Sequence, residues 1–214
     1  DAYPRTLEAD SKGLNERGCD ILFAPTVKDV YPNGTSAETR VDVPTLVDHH
    51  CGASRPGHFI GVSTVVTKLF NMVQADVAIF GEKDFQQLAV IRKMAEDLCM
   101  PIRIIGVAIS REPTGLARSS RNGYLSPEEK TTAANIYQTL LHCKQSLESG
   151  VRDYKHLTKV AMDQLDTYGL KNDYFNIANP HTLEDASLDD DECVILVAAW
   201  LGATRLIDNI SVKL

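Results

Sequence analysis

The five cysteines of this 214-residue chain, Cys19, Cys51, Cys99, Cys143 and Cys193, contain no Cys-x-x-Cys pair and no Cys/His cluster at zinc-like spacing. A zinc module is thereby excluded, and dispersed thiols fit a reducing cytoplasm. His49 and His50 are adjacent but lack companions at metal-binding intervals, so histidine coordination of a metal is not expected. Long hydrophobic runs are missing too. The longest apolar strand, over 194–201, is broken by Gly202, and the chain reads as soluble, with no membrane partner. Positive charge is in deficit: 22 Lys and Arg stand against 29 Asp and Glu, a net charge of -7. That balance argues against a general nucleic-acid surface while leaving room for a small basic pocket that takes a discrete phosphate or carboxylate ligand. An initiator methionine and a charged, apolar leader are absent as well. The chain opens Asp1-Ala2-Tyr3-Pro4-Arg5-Thr6, as a fragment or a processed chain would.

Core material is ample, since 43% of the residues are hydrophobic, enough for one larger α/β domain or two modest ones. Leu7, Ser11 and Leu14 share a short helical face that Gly18 can stop, and Ile21-Leu22-Phe23-Ala24-Pro25 predicts a strand ending at proline. Tyr31-Pro32-Asn33-Gly34-Thr35 is a turn, and 40–43 a short edge strand. A constrained loop over 54–59 precedes a helix carrying Val62, Val65, Val66, Leu69, Phe70 and Val73. A strand over 77–80, a helix over 86–97 and a strand over 102–107 then predict a right-handed parallel crossover and a doubly wound sheet. The polar turn Ser110-Arg111-Glu112-Pro113-Thr114-Gly115 divides the chain into domains 1–109 and 110–214. Ser126, Pro127 and Glu129 form a capping-box start for a helix running to about 149, where Gly150 ends it. A second helix covers 154–168, with Gly169 as its stop. Strands over 174–178, 193–199 and 204–208 follow, the last two spaced for an antiparallel hairpin in a small α+β second domain.

Polar chemistry gathers directly after the strand over 77–80, in Gly81-Glu82-Lys83-Asp84-Phe85-Gln86-Gln87. Open α/β sheets bind ligands beyond the carboxyl ends of their strands. Lys83 can neutralise phosphate oxygens there, Asp84 can accept hydrogen bonds from sugar hydroxyls, and Gln87 can donate and accept toward a hydroxylated acid. The same residues also suit a plainer arrangement in which Asp84 caps the next helix, Lys83 is solvated and Gln87 is surface. Gln86 and Gln87 point about 100° apart on a helix and need not share a task. Ser119-Ser120-Arg121 offers two hydroxyls and a guanidinium to a leaving pyrophosphate, although serine-rich turns with an arginine are common in structural loops. Around the rigid Pro56-Gly57 turn, Arg55 and His58 are candidates either to contact a carboxylate or phosphate or to orient the loop.

Four ordered motifs, Arg55-Pro56-Gly57-His58-Phe59, Gly81 to Gln87, Ser119-Ser120-Arg121-Asn122 and Leu201-Gly202-Ala203-Thr204-Arg205-Leu206-Ile207-Asp208-Asn209, resemble those of the pantothenate synthetase family, the pantoate–β-alanine ligases. Tyr3-Pro4-Arg5-Thr6 and Tyr31-Pro32-Asn33-Gly34 extend the resemblance over essentially the whole chain. It implies an α/β fold with a Rossmann-like nucleotidylyltransferase-type parallel sheet, incomplete at the N-terminus, and a smaller α+β C-terminal domain. Residues 1–109 would be a partial nucleotide- and pantoate-binding domain and 110–214 a lid. The implied enzyme converts pantoate and ATP to pantoyl adenylate and pyrophosphate, then lets β-alanine attack to give pantothenate and AMP. Gly81 and Asp84 resemble ATP contacts, Lys83 the phosphate-facing group, and Gln87 a pantoate-binding amide. Ser119, Ser120 and Arg121 resemble the family's ATP phosphate-binding signature and, with Lys83, make the expected catalytic set. Arg55 and His58 match a family loop near the nucleotide-binding half and its subunit contacts, and are expected to bind substrate. Mg2+ is implied as a counter-ion held by ATP phosphates and water, so no protein metal motif is required. A cytoplasmic homodimer is implied as well.

Complete members of that family carry an upstream strand with a histidine-containing nucleotide motif, followed by an Asn/Gln-bearing segment of the pantoate pocket. Neither precedes Asp1. The expectation is a chain without its first βα portion, cut at a flexible loop or completed by another chain, and inactive or badly impaired alone. Arg118 stands where the family is usually apolar, and Asn179-Pro180 replaces a more usual charged connection. Another adenylate-forming acid ligase or nucleotidylyltransferase, and a nucleotide-binding fragment without activity, are the alternatives.

Overall fold

The structure, a computed structural model, describes residues 6–36, 38–47, 50–53 and 55–214. Tyr3, Pro4 and Arg5 of the resemblance, and His49, lie outside the described residues. The chain divides into two compact units, Asp1–Thr39 and Arg40–Leu214. Among the described residues no helix is long and apolar enough to cross a membrane.

The first unit holds helices α1 (Leu7–Asn15) and α2 (Val27–Val30). A capping box starts α2: Thr26 N–H donates to Asp29 Oδ2 (2.8 Å) and Asp29 N–H to Thr26 Oγ1 (3.3 Å). The Thr26 hydroxyl, which donates to Asp29 Oδ2 (2.7 Å), and then the Thr26 N–H hold the Asp29 carboxyl below the usual carboxylate range. The strand expected over 21–25 does not form. Ile21, Leu22 and Phe23 have no regular structure and are largely exposed. An apolar run becomes a strand only where a neighbouring strand takes its backbone hydrogen bonds.

The second unit opens with a segment over 40–47 and helices α3 (His50–Ala53) and α4 (His58–Val73). The edge strand expected over 40–43 is replaced by side-chain anchoring. Val41 N–H donates to Thr64 Oγ1 (3.0 Å), and the Val41 carbonyl accepts from Ser63 Oγ. With α4 hydroxyls satisfying this backbone, Val43 and Leu46 are buried without a sheet partner. Strands β1 (Val77–Gly81) and β2 (Arg103–Val107) pair in parallel, Val77 opposite Arg103 and Gly81 opposite Val107, with helix α5 (Phe85–Asp97) as the crossover. This is the expected βαβ unit, and the described parallel sheet has these two strands. Leu88, Ile91 and Met94 recur at helical spacing along α5 and are almost fully buried.

Helices α6 (Pro127–Ala133), α7 (Asn135–Glu148) and α8 (Tyr154–Thr167) precede strands β3 (Lys171–Ala178), β4 (Glu192–Leu201) and β5 (Thr204–Lys213). The single helix expected up to 149 is two helices. At Ala134 the turn tightens, with Tyr137 N–H and Gln138 N–H both directed at its carbonyl (3.1 and 3.4 Å), and Asn135 Nδ2 donates back to Thr132 O (2.9 Å). The strands form an antiparallel sheet in the order β3-β4-β5, with Leu201 opposite Thr204 at the hairpin. Strand β4 is buried on both faces. Cys193, Ile195, Val197 and Ala199 pack with the core of α7 and α8, whereas Val194 and Leu196 pack with that of α4 and α5.

At Gly52 two main-chain segments approach closely, since a Cβ there would lie 1.7 Å from the Val47 carbonyl oxygen. Gly52→Ala must therefore move backbone rather than a side chain. We expect a loss of about 2–3 kcal/mol, the scale of overpacking a tight interior, read as a lower urea midpoint with an unchanged slope. An unaltered midpoint would show that the turn yields freely.

Candidate active site

Strand β1 delivers its chain to a 3₁₀ turn, Glu82–Asp84, at its carboxyl end. Asp84 occupies the N-cap position of α5, yet its side chain makes no capping bond and is 54% exposed. Lys83 is only 17% exposed, with Nζ 4.0 Å from Asp84 Oδ2. The plainer arrangement, a capping Asp84 beside a solvated Lys83, is therefore not what forms. Gln86 is the structural amide of the pair: its Oε1 accepts from Cys51 N–H (3.1 Å) and its Nε2 donates to Leu46 O (2.8 Å), whereas Gln87 is half-buried on the first turn of α5. The turn is also held from strand β5, where Asn209 Nδ2 donates to the carbonyls of Glu82 and Lys83, 2.9 Å each.

A second loop comes to the same place. Arg111 and Ala117 form an isolated antiparallel bridge, closed by Glu112 N–H to Leu116 O (2.8 Å). Gly115, at φ 93°, lets the loop lie on Tyr137; a Cβ there would be 2.6 Å from that ring. Arg111 makes a two-pronged ion pair with Asp208, Nη1 to Oδ2 at 2.6 Å and Nη2 to Oδ1 at 3.0 Å, and lies 3.7 Å over the Tyr137 ring centroid. Burial pushes the Asp208 carboxyl above its ordinary range, while Arg111 and nearby Lys83 pull it back. Beyond this hairpin, Ser119 caps the 3₁₀ segment Ser120–Tyr124, its Oγ accepting from Arg121 N–H (3.2 Å). Arg121 Nη1 donates to Arg205 O (3.4 Å), and the buried Asn122 amide donates to Ala117 O (3.0 Å). Arg118 instead faces solvent, 3.4 Å from Glu112.

Lys83, Ser119, Arg121, Asn122, Arg205 and Asp208 line one open cleft, with Leu116, Ile136 and Leu206 as apolar walls. Two motifs separated by more than thirty residues in the sequence thus share a surface. Ser120 is exposed at the start of its 3₁₀ segment, and Gly81 and Gln87 are not among the cleft-lining residues. Arg55 and His58 pair with each other and, like Asp84, are not among the cleft-lining residues: Arg55 Nη2 lies 2.9 and 2.7 Å from Nδ1 and Nε2 of the imidazole. Burial, then the neighbouring Arg55 charge, lowers the His58 pKa, while Asp84 raises it and Arg121 lowers it. Arg55 is likewise lowered by burial first, with Arg121 and Arg205 adding to the effect. Arg55, His58, Asp84 and Arg121 therefore share one electrostatic neighbourhood.

Arg111, Arg205, Asp208 and Asn209 had no role assigned in advance. Asp173 holds Arg205 through Nε (2.9 Å) and Nη2 (2.7 Å), and Cys51 Sγ lies 3.5 Å from Nη2. The available sequence signal was Arg205, Asp208 and Asn209 flanking and interrupting Leu206, Ile207 and Ile210 in β5. Charges placed inside a strand need partners, and the partners are distant in sequence.

Fold and cleft together define an α/β ligand-binding protein whose cationic site suits a phosphate- or carboxylate-bearing substrate. Residues 1–211 match the family model described as Pantoate-beta-alanine ligase, and the chain belongs to that family. It is 56% identical to the pantothenate synthetase of Marinobacter nauticus over 99% of this chain and 75% of that protein. The Pseudomonas fluorescens Pf0-1 pantothenate synthetase is also 56% identical, over 100% and 75% respectively. Among solved structures, pantothenate synthetase from Thermus thermophilus superposes with a TM-score of 0.91 at 42% identity, over 98% of this chain and 75% of that one. Pantoate-beta-alanine ligase from Francisella tularensis, in complex with beta-gamma ATP and beta-alanine, gives 0.77 at 31% identity, over 97% and 70%.

The lowered His58 pKa sets a pH dependence with a definite sign. The folded protein resists protonation at His58 while the unfolded chain accepts it near 6.5. The resulting stability is present above about 6.5 and lost as pH falls from there through the lower folded value. Urea midpoints should drop more between about pH 7.5 and 5.5 for the parent than for His58→Gln; equal drops would remove His58 as the cause.

Proposed function

We propose that pantoate is adenylated in the cleft between the Glu82–Asp84 turn and the Ser119–Arg121 loop. The chain is an ATP-dependent ligase of its family, joining pantoate to β-alanine. The observation that carries the site assignment is the convergence of Lys83, Ser119 and Arg121 on one cleft. A carboxylate is a poor acyl electrophile, so pantoate must first be activated. One of its oxygens attacks the α-phosphorus of ATP as the bond to the β-phosphate breaks and pyrophosphate leaves. The β-alanine amine then attacks the acyl carbon, the bond to AMP breaks, and the amine loses a proton. Both steps build negative charge on phosphate oxygens, which preorganised cationic donors stabilise.

Lys83 and Arg121 supply that positive charge, with the Ser119 and Ser120 hydroxyls donating beside them. Asp84, exposed at the strand end, accepts from ribose hydroxyls, and the Gly81 backbone approaches the nucleotide. Gln87 serves the pantoate hydroxyl and carboxylate, and Arg55 and His58 contribute further substrate contacts. The Francisella tularensis complex with beta-gamma ATP and beta-alanine supports this choice of ligands. Among the described residues no three His, Cys, Asp or Glu side chains gather as a metal cage. Mg2+ would enter with ATP as its counter-ion and would supply charge neutralisation at the phosphates, beside Lys83 and Arg121. The same reading takes the β1–α5–β2 unit as part of a Rossmann-like nucleotidylyltransferase sheet, 110–214 as the lid half, and the protein as a cytoplasmic homodimer.

Pyrophosphate exchange into ATP should require pantoate but not β-alanine. Lys83→Ala and Arg121→Ala should each lower that exchange by about 10²–10³-fold, the scale of deleting one preorganised donor. Exchange that ignores pantoate, or survives both substitutions, would sink the site assignment.

A further inference from the structure

We propose that Asn209 is a positioning residue for Lys83, latching the strand-end turn to strand β5. The proposal rests on the reading of Lys83 as the phosphate-facing group. Asn209 is 4% exposed, and both protons of its amide nitrogen are used, one on the Glu82 carbonyl and one on the Lys83 carbonyl, each at 2.9 Å. Two successive carbonyls held by one amide fix the direction of the peptide from which the Lys83 side chain departs. Asn209 is itself immobilised. It sits opposite Leu196 of the doubly buried β4, its N–H donates to Asp208 Oδ1 (2.8 Å), and its carbonyl accepts from Arg111 Nη2 (3.4 Å).

The pleat of β5 divides the labour. Successive side chains of a strand point to opposite faces. Asp208 meets Arg111, which lies over Tyr137 of α7, while Asn209 meets the turn after β1. Neighbouring residues of one strand thus hold the Lys83 turn and the Arg111–Ala117 hairpin, which leads into the Ser119–Arg121 loop. Gln86, the buried amide that follows the turn, is engaged with Cys51 and Leu46 instead. Displacements of about 1 Å can cost about 10²-fold in rate, the scale on which loss of the latch would act through Lys83.

The test uses Asn209→Ala, which removes both donors, and Asn209→Asp, which keeps the volume but presents carboxylate oxygen to the two carbonyls. Hydrogen exchange followed by mass spectrometry should show amides of the 81–87 segment exchanging faster by about tenfold in both variants, with those of β3 and β4 unchanged. This readout needs no activity. In pantoate-dependent pyrophosphate exchange, Asn209→Ala should lower kcat by about 10- to 100-fold and leave the pantoate KM within about twofold. Placed on Lys83→Ala, it should cost less than about twofold more, because the residue through which it acts is gone. Unchanged protection over 81–87, or a loss that adds in full to that of Lys83→Ala, overturns the proposal. If Lys83→Ala leaves exchange at the parent rate, the phosphate-facing reading of Lys83 fails, and the protection data still decide whether the latch exists.

Discussion

Burial of β4 on both faces is the constraint on which the rest of the second unit depends. A strand covered on one side only would leave β5 at liberty to twist with its hairpin. Here Ile195, Val197 and Ala199 are locked into one core while Val194 and Leu196 are locked into the other. The two cores cannot move apart without exposing a strand whose residues from Cys193 to Ala199 are all below 5% exposed. Such interiors are close-packed and transmit position with little give. Strand β5, paired to β4 along its whole length, therefore presents Arg205, Asp208 and Asn209 from a fixed frame. The loops of the cleft are irregular, and they gain their definition from that frame.

The site is built from charges held apart from their usual solvation. Asp208 answers Arg111 and Asp173 answers Arg205, in both cases with at least one member largely buried. Such pairs contribute little net stability, since desolvation offsets much of the attraction, but losing one member is costly. Their value lies in direction: a guanidinium fixed by a carboxylate and an aromatic face cannot wander. Lys83, Arg121, Arg55 and Arg205 bring positive charge into one region of a protein whose net charge is -7. On the proposed assignment of the site, an anionic ligand would relieve their mutual repulsion, which would let an acidic protein take an anionic substrate.

Capping and periodicity were the legible local signals. The capping box of Ser126 and Glu129, the apolar spacing of α5 and the crossover between β1 and β2 appear in the structure as the pattern predicts. Expectations failed where backbone hydrogen bonds required a specific neighbour. Ile21-Leu22-Phe23 has strand composition but no strand pairing, and Val41 is served by hydroxyls of α4 that no reading of residues 40–43 contains. The break at Ala134 follows from Asn135 competing for a carbonyl, a side-chain choice that helix periodicity does not register.

Within the site, the residue types and their order along the chain are sequence properties. The run from Gly81 to Gln87 ends a strand, Ser119-Ser120-Arg121 follows a turn, and together they identify the family without coordinates. That Asp84 leaves its capping role unfilled, that Gln86 rather than Gln87 is the structural amide, and that Asn209 holds the Lys83 turn were decided by tertiary structure alone. The physical reason is range. Propensity, capping and periodicity act over a few residues, whereas the bond from Asn209 to Lys83 spans 126 positions and exists only because two cores grip the strand between them.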